Sequence, residues 1–209
     1  MITAHIFGSQ ATSPQAPAWE SLSSLSGFCD RITVHDHGMS PKTAEIVDEF
    51  SRMKRMIVVD TGDAPLSKLG DDEWIYFGVL DEVVHEDSHQ YFWDLALNHE
   101  EFLAADVPIR TVFGTADEEG LVETRLVRRG ALASFKFDGD GFSCSIPTEK
   151  RAPSGGVPSP VWKFAWAFPG DSSMLEYEPA QGALVGASGL PRSIIRLAGR
   201  YCYTPPYMK

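Results

Sequence analysis

Residues 19–50 read WESLSSLSGFCDRITVHDHGMSPKTAEIVDEF, and with MIVVD at 56–60 and DDEWIYFGVLDEVV at 71–84 they decide the fold. Trp19, Leu22, Leu25 and Phe28 recur every three residues, which marks one face of a short helix. Residues 31–35 are β-rich and end at Asp36. Gly38 to Pro41 is a turn, where Ser40 can cap the next helix and Pro41 can take its first position. That helix is expected to run to about Arg55, with Ile46, Val47, Phe50 and Met53 on its buried side. Residues 56–60 form a continuous apolar run, the signature of an interior parallel strand. Residues 74–80 give a further strand ending in Asp81 and Glu82. Such an alternation predicts an α/β fold whose parallel strands deliver Asp36, Asp60 and Asp81 to one edge, where ligands of open α/β sheets bind.

Working outward, residues 2–7 are β-rich and give the first strand, and GSQATSPQAP at 8–17 is a loop by composition. Residues 88–104 suit a helix, with Phe92, Leu95, Leu97 and Phe102 apolar. Beyond about Val107 strands dominate, at 109–113, 121–127, 132–137 and 161–168. DGDGF at 138–142 reads as a hairpin turn rather than a calcium loop, because the remaining ligand positions are lacking. RAPSGGVPSP at 151–160 reads as a mobile segment over a site. In VWKFAWAF at 161–168, Trp162, Phe164, Trp166 and Phe168 share one strand face, as core or as a stacking platform for an acceptor.

The chain has 209 residues, enough for one domain with a sizeable core. No apolar run approaches the ~20 residues that span a bilayer, and the N-terminus lacks the pattern of a signal peptide. Cys29, Cys144 and Cys202 are scattered and form no metal-type pair, which points to a reduced, cytoplasmic setting. A net charge of −11 repels nucleic acid and acidic lipid in bulk. Arg125, Arg128, Arg129 and Lys136 form one modest basic group, and Arg192, Arg196, Arg200 and Lys209 another; both read as solvated faces. There is no phosphate loop, no dinucleotide fingerprint after the first strand and no nucleophile elbow.

The stretch 24–50 resembles the N-terminal half of family-two glycosyltransferases of the GT-A fold, with Asp36, Gly38 and Thr43 on that family's Asp, Gly and Thr. DDEWIYFGVLDEVV is similar to the family's strand that ends in its metal motif. LVETRLVRRG at 121–130 is similar to a segment of the branch that builds surface-polysaccharide cores. The three stand in the family's order and span roughly residues 1–130.

The resemblance implies a GT-A-like, Rossmann-like, mostly parallel sheet flanked by helices, with a β-rich C-terminal portion. Residues 1–106 would be the nucleotide-sugar-binding βαβαβ half, and 107–209 the acceptor-side half of the same single domain. The implied reaction moves a sugar from a nucleoside-diphosphate sugar to an acceptor hydroxyl with inversion, the acceptor being a surface glycan or a hydroxylated base of modified DNA. Such chemistry needs a divalent cation, Mg2+ or Mn2+, at the leaving diphosphate, and a carboxylate base on the acceptor. By resemblance Asp36 contacts the nucleoside, Gly8 and Ser9 lie under the nucleotide beside Gly38 and Asp60, and Asp81 with Glu82 takes the metal. Asp117, Glu118 and Glu119, in a loop before the RLVRRG strand, are the positional choice for the base. The pattern has departures: Val79 replaces the first Asp of the metal motif, Pro41 replaces the second acid after the glycine turn, and no His follows His99.

Two other functions compete. Loss of the first metal-motif Asp together with the acidic charge suits a non-catalytic binding or inhibitor protein on the same fold. His35 with His37 and His85 with His89 could instead form a zinc site, with Asp36 or Asp60 as a further ligand, in a hydrolase.

Overall fold

A computed structural model describes residues 1–9, 18–53, 57–60, 73–113, 116–137 and 142–164. In chain order the elements are β1 (Ile2–Ser9), α1 (Ala18–Leu25), β2 (Arg31–His37), α2 (Pro41–Met53), β3 (Ile57–Asp60), β4 (Trp74–Val79) and β5 (Glu82–Val84). Then come α3 (His89–Asn98), β6 (Ala104–Phe113), β7 (Ala116–Arg128), β8 (Phe135–Phe137), β9 (Phe142–Cys144), β10 (Arg151–Ala152) and β11 (Val161–Phe164).

The main sheet runs β3-β2-β1-β4-β7-β6-β11-β5, with β10 on β6 as well. Pairing is parallel from β3 through β4, as the continuous apolar runs predict. β7 enters antiparallel between β4 and β6, and β11 lies parallel to β6. β5 follows β4 after only Leu80 and Asp81, yet it sits at the far end of the sheet path. The sheet therefore curls, and β5 returns beside the end of β4.

Side-chain alternation along the strands splits the core into two. Ile2, Ala4, Ile6, Ile32, Val34, Trp74 and Tyr76 pack under the helices against Leu22, Leu25, Phe28, Val47, Phe50, Phe92 and Leu95. On the opposite face Ile75, Phe77, Ala104 and Val127 pack against Phe135 and Ile146, so the β8–β9 hairpin covers that side. Each large side chain taken out of water on either face contributes about 1.5–3 kcal/mol. The start of α2 forms as the sequence predicts: the Thr43 N–H donates to Ser40 Oγ at 3.1 Å, and Pro41 opens the helix.

Several expectations are corrected. The helix expected over 88–104 stops at Asn98, and position 104 already belongs to β6. Its continuation would have placed His99, Glu100 and Glu101 inside the helix, whereas Arg128 Nη2 donates to the His99 carbonyl at 3.0 Å in a turn. The strand expected over 132–137 is a 3-10 turn, Arg129–Ser134, followed by only three strand residues. Residues 151–160 are not a free flap. β10 pairs with β6, Ala152 and Val157 are buried, and Ser88 Oγ donates to the Ser159 carbonyl at 2.8 Å while accepting from its N–H at 3.1 Å. Arg151 Nη1 also donates to Asp106 Oδ1, at 3.1 Å. Trp162 is core rather than platform, with the Arg110 guanidinium 4.6 Å over its ring. Trp166, Phe168, the turn at 138–141 and the chain beyond 164 lie outside the described residues, although Phe137 and Phe142 pair as hairpin neighbours. No helix among the described residues is long and apolar enough to cross a membrane.

Candidate functional site

Register sets the rim. Gly8 lies opposite Asp36, Ser9 opposite His37, His35 opposite Asp60, and Phe7 opposite Val79. The Leu80 N–H donates to the Phe7 carbonyl at 3.2 Å, which holds the Leu80–Asp81 turn level with the end of β1. Asp36, Asp60 and Asp81 therefore sit on the same edge of neighbouring strands, and a strand spacing of roughly 4.8 Å puts Asp36 about 10 Å from the β4 end.

Asp36 is exposed and shapes its own turn. Its Oδ1 accepts from the N–H groups of both Gly38 and Met39, each at 2.8 Å. Gly38 has φ 89°, a left-handed conformation for which glycine is the natural residue. Among the described residues Oδ2 takes no hydrogen bond. Gly8 is buried under the same turn: a Cβ there would stand 2.3 Å from Met39 Sδ and 2.8 Å from Leu80 Cδ1. Its lack of a side chain lets the Asp36 turn and the β4 end close over β1. The side chains of Ser9 and Asp60 lie outside the described residues.

The expected metal pair Asp81–Glu82 does not stand as a pair. Glu82 is 3% exposed; its Oε1 accepts from Arg125 Nη2, and its Oε2 accepts from the Val79 N–H at 3.3 Å. Arg125 also meets Glu123 Oε2 at 2.9 Å and lies 4.3 Å over the Phe142 ring. Both Glu82 oxygens are thus committed to the fold. Asp81 is different: its Oδ1 is buried with no partner among the described residues. Burial raises the Asp81 carboxyl above its ordinary range, while the charge of Lys163 acts in the opposite direction. No group of three or more His, Cys, Asp or Glu among the described residues could hold a metal ion. A divalent ion at a diphosphate keeps several waters and draws only one or two carboxylates from the protein, the phosphates supplying the rest. With both Glu82 oxygens committed, Asp81 is the one carboxylate that the Asp81–Glu82 pair leaves for such an ion.

Asp117, Glu118 and Glu119 are not in a loop. They lie on β7, opposite Val112, Thr111 and Arg110 on β6, with side chains outside the described residues.

The four histidines of the zinc alternative do not gather. His35 lies on the hairpin side of the sheet, its Nε2 2.8 Å from His5 Nδ1 and its ring stacked 4.9 Å from Phe7; the His37 ring is 6.5 Å away. His85 is buried and caps a 3-10 turn by accepting from the Asp87 N–H at 3.1 Å. His89 packs 5.1 Å from Phe28, in the helix-side core. The sheet separates the two pairs, which is the physical reason the zinc reading fails.

Sequence reasoning missed Arg125 and Lys163. Arg125 was expected on a solvated basic face, but it is 1% exposed. The available signal was its place beside Leu126 and Val127, both fully buried. Arg128 is likewise turned inward, 5.0 Å over the Trp74 ring. Lys163 sits on β11 in register with Glu82 and is half-buried.

The buried cluster gives the fold a pH signature. Burial drives the Glu82 carboxyl up to about 7, against the pull of Arg125 and with help from Asp81. A raised carboxyl favours the folded state fully below its unfolded value, near 4.5, and that contribution is lost as pH rises through about 7. Stability should therefore fall between pH 5 and pH 8, by on the order of 3 kcal/mol at most. Urea unfolding of the wild type and Glu82→Gln at both pH values checks this. The variant should show a clearly smaller fall, and equal falls would locate the titration elsewhere.

No protein-family model and no curated protein matches this sequence. Solved structures do share its fold. Residues 1–349 of S. aureus TarS align with a TM-score of 0.51 at 11% identity, covering 88% of this chain and 64% of that one. The same S. aureus protein in complex with UDP aligns with a TM-score of 0.50 at 13% identity, covering 98% and 73%. The mannosyltransferase PcManGT from Pyrobaculum calidifontis, in complex with GDP-Man and Mn2+, gives 0.46 at 13% identity over 98% and 70%. The chain thus spans just under two thirds of the first of these, at 64%. The curled, mostly parallel sheet flanked by helices is the GT-A-like fold of glycosyltransferases.

Proposed function

We propose that this protein transfers a sugar from a nucleoside-diphosphate sugar to an acceptor hydroxyl. The observation that carries the reading is the rim: Ser9, Asp36, Asp60 and the Leu80–Asp81 turn end adjacent strands at one level. A fold neighbour with this architecture is recorded in complex with UDP. Asp36 Oδ2 offers an acceptor to a nucleoside N–H or hydroxyl, while Oδ1 keeps the turn in place. Gly38, in the turn itself, lets the backbone approach the nucleotide closely.

The transfer balances simply. The acceptor oxygen bonds to the anomeric carbon from the face opposite the diphosphate. The bond from that carbon to the diphosphate oxygen breaks, and the nucleoside diphosphate leaves with the electron pair. The acceptor proton passes to a carboxylate, for which Asp117, Glu118 and Glu119 on the β6–β7 hairpin are the proposed choice. Inversion at the anomeric carbon follows from the single displacement. The acceptor class is a surface glycan or a hydroxylated nucleobase, and the net charge of −11 weighs against a polyanion.

Thermal unfolding with UDP, GDP and their sugar conjugates tests this. A ligand at a hundredfold excess over its Kd adds about 2.7 kcal/mol, or roughly 5–10 °C in Tm for a chain of this size. One nucleoside diphosphate should give that shift while the free sugar gives none. If neither UDP, GDP nor any sugar conjugate moves Tm or is consumed, the reading is wrong and a non-catalytic binding role takes its place.

A further inference from the structure

As a sugar leaves, charge builds on the diphosphate, and a site that catalyses this step places a cation there. The rim holds one carboxylate with an oxygen left over, Asp81: its Oδ1 is buried and takes no hydrogen bond among the described residues, while the carboxylate accepts from its own backbone N–H. Glu82 is withdrawn into its contacts with Arg125 and the Val79 N–H, and the Val79 side chain has no carboxylate to offer. Two cations act on Asp81, Lys163 first and Arg125 after it. Lys163 lies on β11 opposite Glu82 of β5, and it acts electrostatically on both Asp81 and Glu82. Arg125 is already shared between Glu82 and Glu123, whereas Lys163 has no ion pair within 4.0 Å among the described residues. A half-buried ammonium beside one carboxylate is close to neutral as a unit and keeps its N–H donors for an incoming anion.

We infer that Lys163 supplies the cation that meets the diphosphate, so that donor binding here proceeds without a divalent metal. This inference rests on the sugar-nucleotide reading of the rim. In it Asp81 is a positioning residue: its charge holds the Lys163 ammonium at the end of β4, and the ammonium donates to the diphosphate oxygens. Local charge supports the arrangement. The rim cluster of Asp81, Glu82 and Glu123 exceeds Arg125 and Lys163 by one negative charge, which the raised Glu82 carboxyl offsets by holding a proton longer.

The test is calorimetric titration of UDP and of GDP into the full chain, in EDTA and again in Mn2+. Whichever nucleotide binds should do so in EDTA, with a Kd within about threefold of its value in Mn2+. Lys163→Met should weaken that binding about 10- to 100-fold, the loss of a charged hydrogen bond, while Lys163→Arg should retain it within a few-fold. Thermal unfolding of both variants without ligand shows that the fold persists. Binding that appears only with Mn2+, or a Lys163→Met variant that binds as tightly as wild type, overturns the inference and leaves the transferase reading standing. Absence of binding under both conditions overturns both together.

Discussion

Arg125→Met is expected to cost the folded state about 3–5 kcal/mol, the range for removing one partner of a buried ion pair. Arg125 is 1% exposed and serves Glu82 and Glu123 at once, so its loss strands two carboxylates in the interior. The neutral thioether fills much of the volume, which makes charge rather than cavity the main term. A domain holds only about 5–15 kcal/mol in total, so a large fraction of the stability would go. The companion variant Arg125→Met/Glu82→Gln should recover at least half of the loss, because the amide needs no counter-charge. The deficit should also shrink at pH 5, where Glu82 holds its proton. Urea midpoints at pH 5 and pH 8 read both effects. A loss below about 1 kcal/mol at pH 8 would mean that the guanidinium is dispensable and that the cluster is not held by charge.

Asp81→Ala is expected to reduce sugar transfer at least about a hundredfold, the scale of losing one preorganised electrostatic contact in a dry site, while leaving the fold intact. The two effects should move apart, because a carboxylate oxygen buried without a hydrogen bond among the described residues is a burden to the folded state. Tm should stay level or rise. That combination is the mark of a residue kept for work rather than for packing. Donor consumption and a melting curve on the same preparation settle the matter. Turnover within a few-fold of wild type would remove Asp81 from the site, and a fall in Tm of several degrees would show that it serves the fold instead.

The first half of the molecule was legible because local rules and tertiary packing agree there. Three-residue spacing from Trp19 to Phe28, Ser40-Pro41 at a helix start and the apolar run before Asp60 each specify an element without distant help. The second half obeys pairings that no short window contains. β5 has three residues and no glycine or proline before it, so Glu82 read as the end of β4 rather than the start of a new strand. Arg125 was opaque for a related reason. β7 is covered on both sides near Leu126 and Val127, so alternation does not mark one face as wet. α3 was overextended because Phe102 continues its spacing, although the chain has already turned at His99. At the rim, the acids were visible as residues at strand ends. Which of them are free and which are tied down depends on β5, β7 and β11, and was not visible.

β11 sits between β5 and β6 but is made after both. A ribosome adding about 5–20 residues per second leaves those two edges without their shared neighbour for several seconds. Throughout that interval the nascent chain offers bare amide and carbonyl rows to any extended segment it meets. The late strand also carries Lys163. Closure of the sheet and arrival of the rim's own ammonium are therefore a single event, and a half-made chain holds its acids at the mouth before it holds the charge that answers them.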